Sequence, residues 1–176
     1  LDGDQLMYII AQHRHQQGAL VGGVAGTLMT NLALEHAFNK VNIPFGRAKV
    51  GDRYVLEMLV ENGWQLGGEN SGHILCLDKH SSGDGIIAAL QVLAALKAQK
   101  QTLTKVGKAL TMYPQVLINV PVKQRIDMNA NPAIQASVQA AEQALNGSGR
   151  ILLRASGTEL KLRVMVEGQD GQLVKK

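Results

Sequence analysis

The sequence predicts an α/β protein in two parts: a layered unit with a mixed sheet over residues 1–112, then a small α+β unit over residues 113–176. Three observations carry this reading. Before Met112, short apolar runs alternate repeatedly with runs of helical spacing. The alternation breaks at Tyr113 and Pro114. Beyond the break come one alternating strand, one helix and a hairpin.

The elements follow in order. Asp4 is placed to cap a helix through Met7, Ile9, Ile10 and Ala11 toward Gln17, which Gly18 ends. Residues 19–24 read as a strand that runs into Gly26 and Thr27, after which Leu34, Ala37, Phe38 and Val41 recur at helical spacing. Residues 43–50 read as the next strand. Gly51 and Asp52 then open a helix with Asp52 as its cap, an apolar face of Tyr54, Val55, Met58 and Leu59, and a close at Asn62 and Gly63. Residues 64–67 and 73–77 bracket a polar turn. Asp84 caps a helix that lines up Ile86, Leu90, Leu93 and Leu96 on one face, and a further helix spans 103–112. In the second part, residues 114–122 alternate as a strand, and Asn131 and Pro132 start a helix with Ile134, Val138, Ala141 and Leu145 on one stripe. Residues 150–154 and 162–166 form the hairpin, joined by Ala155, Ser156, Gly157, Thr158 and Glu159.

Composition narrows the function. Hydrophobic residues are 45% and charged residues 18% of the chain, enough for a packed core, and no apolar run approaches the roughly 20 residues that span a bilayer. A net charge of +4 suits an anionic partner, but aromatics are only 3%, so base-stacking platforms are scarce and a small anionic ligand is expected rather than nucleic acid or membrane. Lys97, Lys100, Lys105 and Lys108 read as a solvated helix face. The single cysteine, Cys76, lies in an apolar run and is expected to be buried and inert. That thiol, and a start with no ordered secretory leader, point to the cytoplasm. The start without Met and the end in what reads as a new helix are the pattern expected of a fragment.

Three polar segments carry chemistry. Residues 154–163, R-A-S-G-T-E-L-K-L-R, place two guanidinium groups, two hydroxyls and a glycine around one turn. That set suits a phosphate, which takes a bidentate arginine fork, hydroxyl donors and free backbone amides; an ordinary polar hairpin has the same turn residues. Residues 67–73, G-G-E-N-S-G-H, combine freed backbone with Glu69 and Ser71, which can accept from and donate to adjacent sugar hydroxyls; Asn70 is less constrained. His73 can shuttle a proton or meet a phosphate, and a lone histidine is also a common structural residue. At residues 49–54, K-V-G-D-R-Y, Arg53 is a ligand candidate at a helix start, whereas Asp52 is assigned a structural role.

Taken together, V-G-D-R-Y-V, G-E-N-S-G-H, the S-G-D-G at residues 82–85, and R-A-S-G-T-E with R-V-M-V-E-G closely resemble the bacterial phosphoglucosamine mutases of the α-D-phosphohexomutase superfamily, over essentially the whole chain. The resemblance implies the third and fourth of four domains. By it Glu69, Asn70, Ser71 and Arg53 read the sugar, and Arg154, Ser156, Gly157, Thr158 and Arg163 hold the phosphate that does not react. The phosphorylated serine and the Asp-rich magnesium loop belong to the two absent domains, so no metal ligand and no catalytic residue beyond an open role for His73 is expected here. Asp2, Gly3 and Asp4 resemble the opening of the third domain, not the metal loop. Leu160 and Lys161 follow S-G-T-E where the family usually has proline, which implies a looser turn.

The implied activity of the intact parent is interconversion of glucosamine 6-phosphate and glucosamine 1-phosphate, with Mg2+ held outside this chain. The alternatives are a phosphomannomutase or phosphoglucomutase fragment, and a free-standing phosphosugar-binding module. The expected partners are the phosphosugar and the missing upstream domains; homo-oligomerisation is left open.

Overall fold

The computed structural model describes residues 1–124, 126–128, 130–156 and 159–176. The chain divides into two compact units, Leu1–Met112 and Tyr113–Lys176.

The first unit is built on a four-stranded mixed sheet in the order β2-β1-β3-β4. Strands β1 (Val24–Thr27), β2 (Phe45–Ala48) and β3 (Leu66–Gly68) are parallel, and β4 (Ile74–Cys76) is antiparallel to β3. Helix α3 (Asp52–Asn62) covers one face, where Ala25, Ala48, Val55, Leu59 and Leu75 form a buried cluster against Met58 and Trp64. On the other side, α1 (Gly3–Gln16) and α2 (Leu32–Asn39) bring Tyr8 and Phe38 together with Phe45 of β2, ring centroids 6.1 and 5.9 Å apart. Helix α4 (Gly85–Gln99) lies against α1 and β4, followed by the short α5 (Leu103–Gly107).

Several local expectations change. Asp2, not Asp4, caps α1: its carboxylate accepts the Gln5 amide at 3.1 Å, and the Gln5 side chain accepts the Asp2 amide in return. Asp4 is buried and accepts the amide of Asn31, the cap of α2, at 2.8 Å, so it joins two helices. The first strand starts at Val24 instead of residue 19, because Gly22 turns the chain at φ 71° and Gly22 and Gly23 slide beneath Trp64. Asp52 is the first residue of α3 and not its cap; Gly51 holds that position at φ 126° with no side-chain bond, and the Asp52 carboxylate accepts the neighbouring Arg53 amide. Helix α5 stops at Gly107.

Helix α4 is capped by Asp84, whose carboxylate accepts the Ile87 amide at 2.8 Å, but it buries Ala88, Val92 and Ala95. Ile86, Leu90 and Leu93 are 75%, 56% and 59% exposed. Small residues let the helix approach closely, and the larger stripe faces outward.

The second unit holds a three-stranded antiparallel sheet, order β5-β7-β6, from β5 (Gln115–Pro121), β6 (Gly149–Ala155) and β7 (Lys161–Gly168). Helix α6 (Pro132–Leu145) starts with Asn131 accepting two amides and Pro132 in the first turn, and ends on Asn146 and Gly147 in left-handed conformation. It lies over the apolar face of the sheet, leaving a groove of about 620 Å³ between Val116, Ile118, Val164 and Ile134, Val138. The opposite face carries polar rows, Gln115, Glu167 and Arg150 and then Asn119, Arg163 and Arg154, on either side of the apolar row Leu117, Met165 and Leu152.

Candidate ligand-binding site

In the first unit, the sugar-type loop is the turn between β3 and β4. The chain reverses at Glu69, Asn70, Ser71 and Gly72, closed by the Gly72 amide donating to the Glu69 carbonyl at 3.0 Å, with Gly72 at φ 98°. The Glu69 amide donates to the His73 carbonyl at 3.0 Å. Two further elements fasten the turn from outside. Gly3 at the start of α1 donates its amide to the Asn70 carbonyl at 2.9 Å, and Gly51 at the start of α3 donates its amide to Glu69 Oε1 at 2.9 Å. Asn70, Ser71 and His73 are exposed and Glu69 is half-buried. The fixed backbone therefore presents one carboxylate, one amide and one hydroxyl to solvent, the donor and acceptor set that a polyol needs.

Gly3 is the residue that sequence reasoning missed. A Cβ there would run into the Glu69 carbonyl and lie 2.7 Å from the Gly72 amide nitrogen, so only glycine lets the helix end meet the turn. Gly67 is similarly constrained, its Cβ position being 2.7 Å from the Ala25 carbonyl of the adjacent strand. Arg53 stands apart in character: it is 81% exposed and its Nε donates to Glu57 at 2.9 Å, an i,i+4 surface pair that holds its pKa above the ordinary value. Asp2 and Asp4 are committed to capping and to Asn31, and among the described residues no group of three or more His, Cys, Asp or Glu could hold a metal. Cys76 is buried, and burial pushes its thiol pKa up, leaving the protonated and unreactive form dominant at neutral pH.

In the second unit, β6 and β7 bring Arg154 and Arg163 directly opposite each other. Like charges so placed oppose sheet formation. Both Nε atoms are buried without a hydrogen-bond partner. Ser156 at the end of β6 is buried, with its amide donating to the Lys161 carbonyl at 2.9 Å and its hydroxyl accepting the Glu159 amide at 3.3 Å. The Lys161 ammonium donates to Glu159 at 2.8 Å, which holds the Glu159 carboxyl below the usual carboxylate range. The candidates Gly157 and Thr158 lie outside the described residues. Two guanidinium groups with unmet Nε donors at the end of a hairpin have the chemistry that an anion can satisfy.

One unit thus carries a fastened polar turn, and the other a hairpin with two opposed arginines. Residues 2–113 match the family model described as phosphoglucomutase/phosphomannomutase, alpha/beta/alpha domain III, and residues 117–176 match that of the phosphoglucomutase/phosphomannomutase C-terminal domain. The chain belongs to this phosphohexomutase family.

Among curated relatives, it is 73% identical over 176 residues to the phosphoglucosamine mutase of Methylobacillus flagellatus, covering all of this chain and 39% of that protein. It is 60% identical to that of Thiobacillus denitrificans, covering 99% of this chain and 38% of that protein. The chain therefore spans about two fifths of the curated relatives it matches. Among solved structures, Aspergillus fumigatus N-acetylphosphoglucosamine mutase in complex with GlcNAc-6P and magnesium shares the fold with a TM-score of 0.81 at 21% identity, over 99% of this chain and 42% of that one. No helix among the described residues is long and apolar enough to cross a membrane.

Proposed function

We propose that this chain is the substrate-gripping part of a phosphoglucosamine mutase, an isomerase of the cytoplasm that interconverts glucosamine 6-phosphate and glucosamine 1-phosphate. The observation that carries it is the Arg154–Arg163 pair, two opposed cations with buried, unpartnered Nε–H groups. Such a pair is stabilised by a ligand that brings negative charge. In this reading Arg154, Ser156, Gly157, Thr158 and Arg163 hold the phosphate that is not reacting. Glu69, Asn70 and Ser71 hydrogen-bond the sugar, with Arg53 as a further ligand and His73 next to the loop in sequence. The high identity to relatives named phosphoglucosamine mutase supports the aminosugar over glucose or mannose.

Moving a phosphoryl group needs a nucleophile, charge neutralisation and in-line placement. This chain supplies placement. In this reading the magnesium is held by the remainder of the parent, and this chain's part is to bind and orient.

The test is calorimetric titration of the 176-residue chain with glucosamine 6-phosphate beside glucosamine, glucose 6-phosphate and inorganic phosphate. Binding of glucosamine 6-phosphate at least tenfold tighter than each of the other three is expected. A folded chain that binds the phosphosugar no better than inorganic phosphate leaves the sugar loop without a role and ends the proposal.

A further inference from the structure

The polar face of the C-terminal sheet carries two charged rows, and one explains the other. Gln115, Glu167 and Arg150 stand in register across β5, β7 and β6. Glu167 is fully buried, and its carboxylate accepts from Arg150 Nε and, at 3.1 Å, from the Gln115 amide. Amide and guanidinium thus converge on one anion between them. An apolar row, Leu117, Met165 and Leu152, follows. Beyond it the pattern returns as Asn119, Arg163 and Arg154, again in register. The edge strand gives an amide and β6 an arginine, as before, but the central strand gives a second arginine instead of the acid. The row that holds Glu167 contains its own anion, and the second row does not.

We infer that Asn119 is the third donor of the phosphate site, its amide joining Arg163 and Arg154 on one phosphoryl group as Gln115 joins Arg150 on Glu167. This rests on the reading that the arginine pair holds a phosphate. Residues directly opposite across an antiparallel pair share a face with Cβ atoms about 4.5–5.5 Å apart, so the amide lies within one side chain of the Arg163 guanidinium. Asn119 is exposed on the edge strand. Glu159 feels the charge of Arg163, but its hydrogen-bonded ion pair is with Lys161 and it makes no hydrogen bond to the buried Arg163 Nε. A tetrahedral dianion has oxygens enough for donors from all three strands, whereas a neutral hydroxyl group cannot satisfy two guanidinium groups and an amide at once.

The test is titration of the 176-residue chain with inorganic phosphate, comparing the unsubstituted chain with Asn119→Ala, Asn119→Asp and Arg154→Leu. Asn119→Ala is expected to weaken phosphate roughly 10- to 100-fold, the loss of one hydrogen bond to a charged group. Asn119→Asp supplies the missing acid from within the chain, so it should abolish phosphate binding and raise the melting temperature measured without phosphate. If both Asn119 variants bind phosphate within twofold of the unsubstituted chain while Arg154→Leu loses it, the phosphate site stands and the role of Asn119 falls. If the unsubstituted chain and Arg154→Leu bind equally or not at all, the phosphate reading itself falls, and this inference with it. Should Asn119→Asp fail to fold, Asn119→Ala alone decides.

Discussion

The turn at residues 69–72 and the hairpin end around Arg154 and Arg163 present polar groups to solvent by opposite means. The turn is held from three sides by backbone amides, those of Gly3, Gly51 and its own Gly72, so its geometry is complete before any ligand arrives. The hairpin end is held by the strand ladder and by the contacts of Ser156, Glu159 and Lys161, while its two guanidinium groups stand opposite each other with buried Nε donors unmet. Recognition of neutral hydroxyls rests on donors and acceptors already in place, because each hydrogen bond contributes only about 1 kcal/mol net and disorder would cancel it. An anion can be drawn in by unmet charge, even at some cost to the empty protein.

The comparison breaks most readily at the hairpin. Arg154→Leu removes one of two opposed charges and the forked donor with it. Phosphosugar affinity should fall about 100-fold, from the loss of charge-assisted bonds worth about 1.5–3 kcal/mol each. Thermal stability without ligand should stay level or rise, because a like-charge contact is removed. A clear fall in the melting temperature would mean that the pair is structural and that the contrast between the two sites is mistaken.

Gly3→Ala tests the other side. The new methyl group must displace the Glu69 carbonyl or push α1 away, and overpacking of this kind costs about 1–3 kcal/mol. Here stability and sugar recognition should fall together, while binding of inorganic phosphate should not change. Melting temperature with parallel titrations of glucosamine 6-phosphate and phosphate separates the outcomes. A stable variant with intact discrimination between the two ligands would show that the turn does not depend on its support from α1.

Gly3 also marks where the sequence stops being legible. The alternation of strand and helix, the Asp84 cap, the Asn131–Pro132 start and the hairpin were readable, because each depends on residues a few positions apart. Asp2 and Asp4 are both credible caps two residues apart, and the choice is made by Asn31, which claims Asp4 from another helix. The stripe Ile86, Leu90 and Leu93 has the spacing of a core face, yet the small side chains of Ala88 and Ala95 win the closer packing. The loops 67–73 and 154–163 stood out by composition, but their supports did not. Gly3 lies 67 positions from Asn70, and Asn119 joins Arg163 only through the register of β5 on β7. Contacts made by tertiary register leave no local pattern to read.

The smallest effect concerns how α1 is anchored at its other end. Arg14 is buried near the last turn of α1, where its guanidinium donates to Asp78 and to Gln91 of α4, both at 3.0 Å. Burial works to raise the Asp78 carboxyl, but Lys79 and Arg14 together outweigh it and hold the group below its ordinary value. A depressed carboxyl contributes stability that is present above its unfolded pKa and is lost as pH falls through its folded pKa. Acidification should therefore loosen α1 below about pH 4, near the ordinary carboxylate range, by about 1 kcal/mol or less. Asp78→Asn should flatten that part of the stability profile of the first unit. Hydrogen-exchange protection of the Gly3 and Gly72 amides, corrected for the intrinsic pH dependence of exchange and followed from pH 6 to pH 3, should fall by about fivefold or less in the unsubstituted chain, and the fall should be absent in Asp78→Asn. A loss of protection that persists in Asp78→Asn would mean that the turn does not draw on the Arg14 anchor.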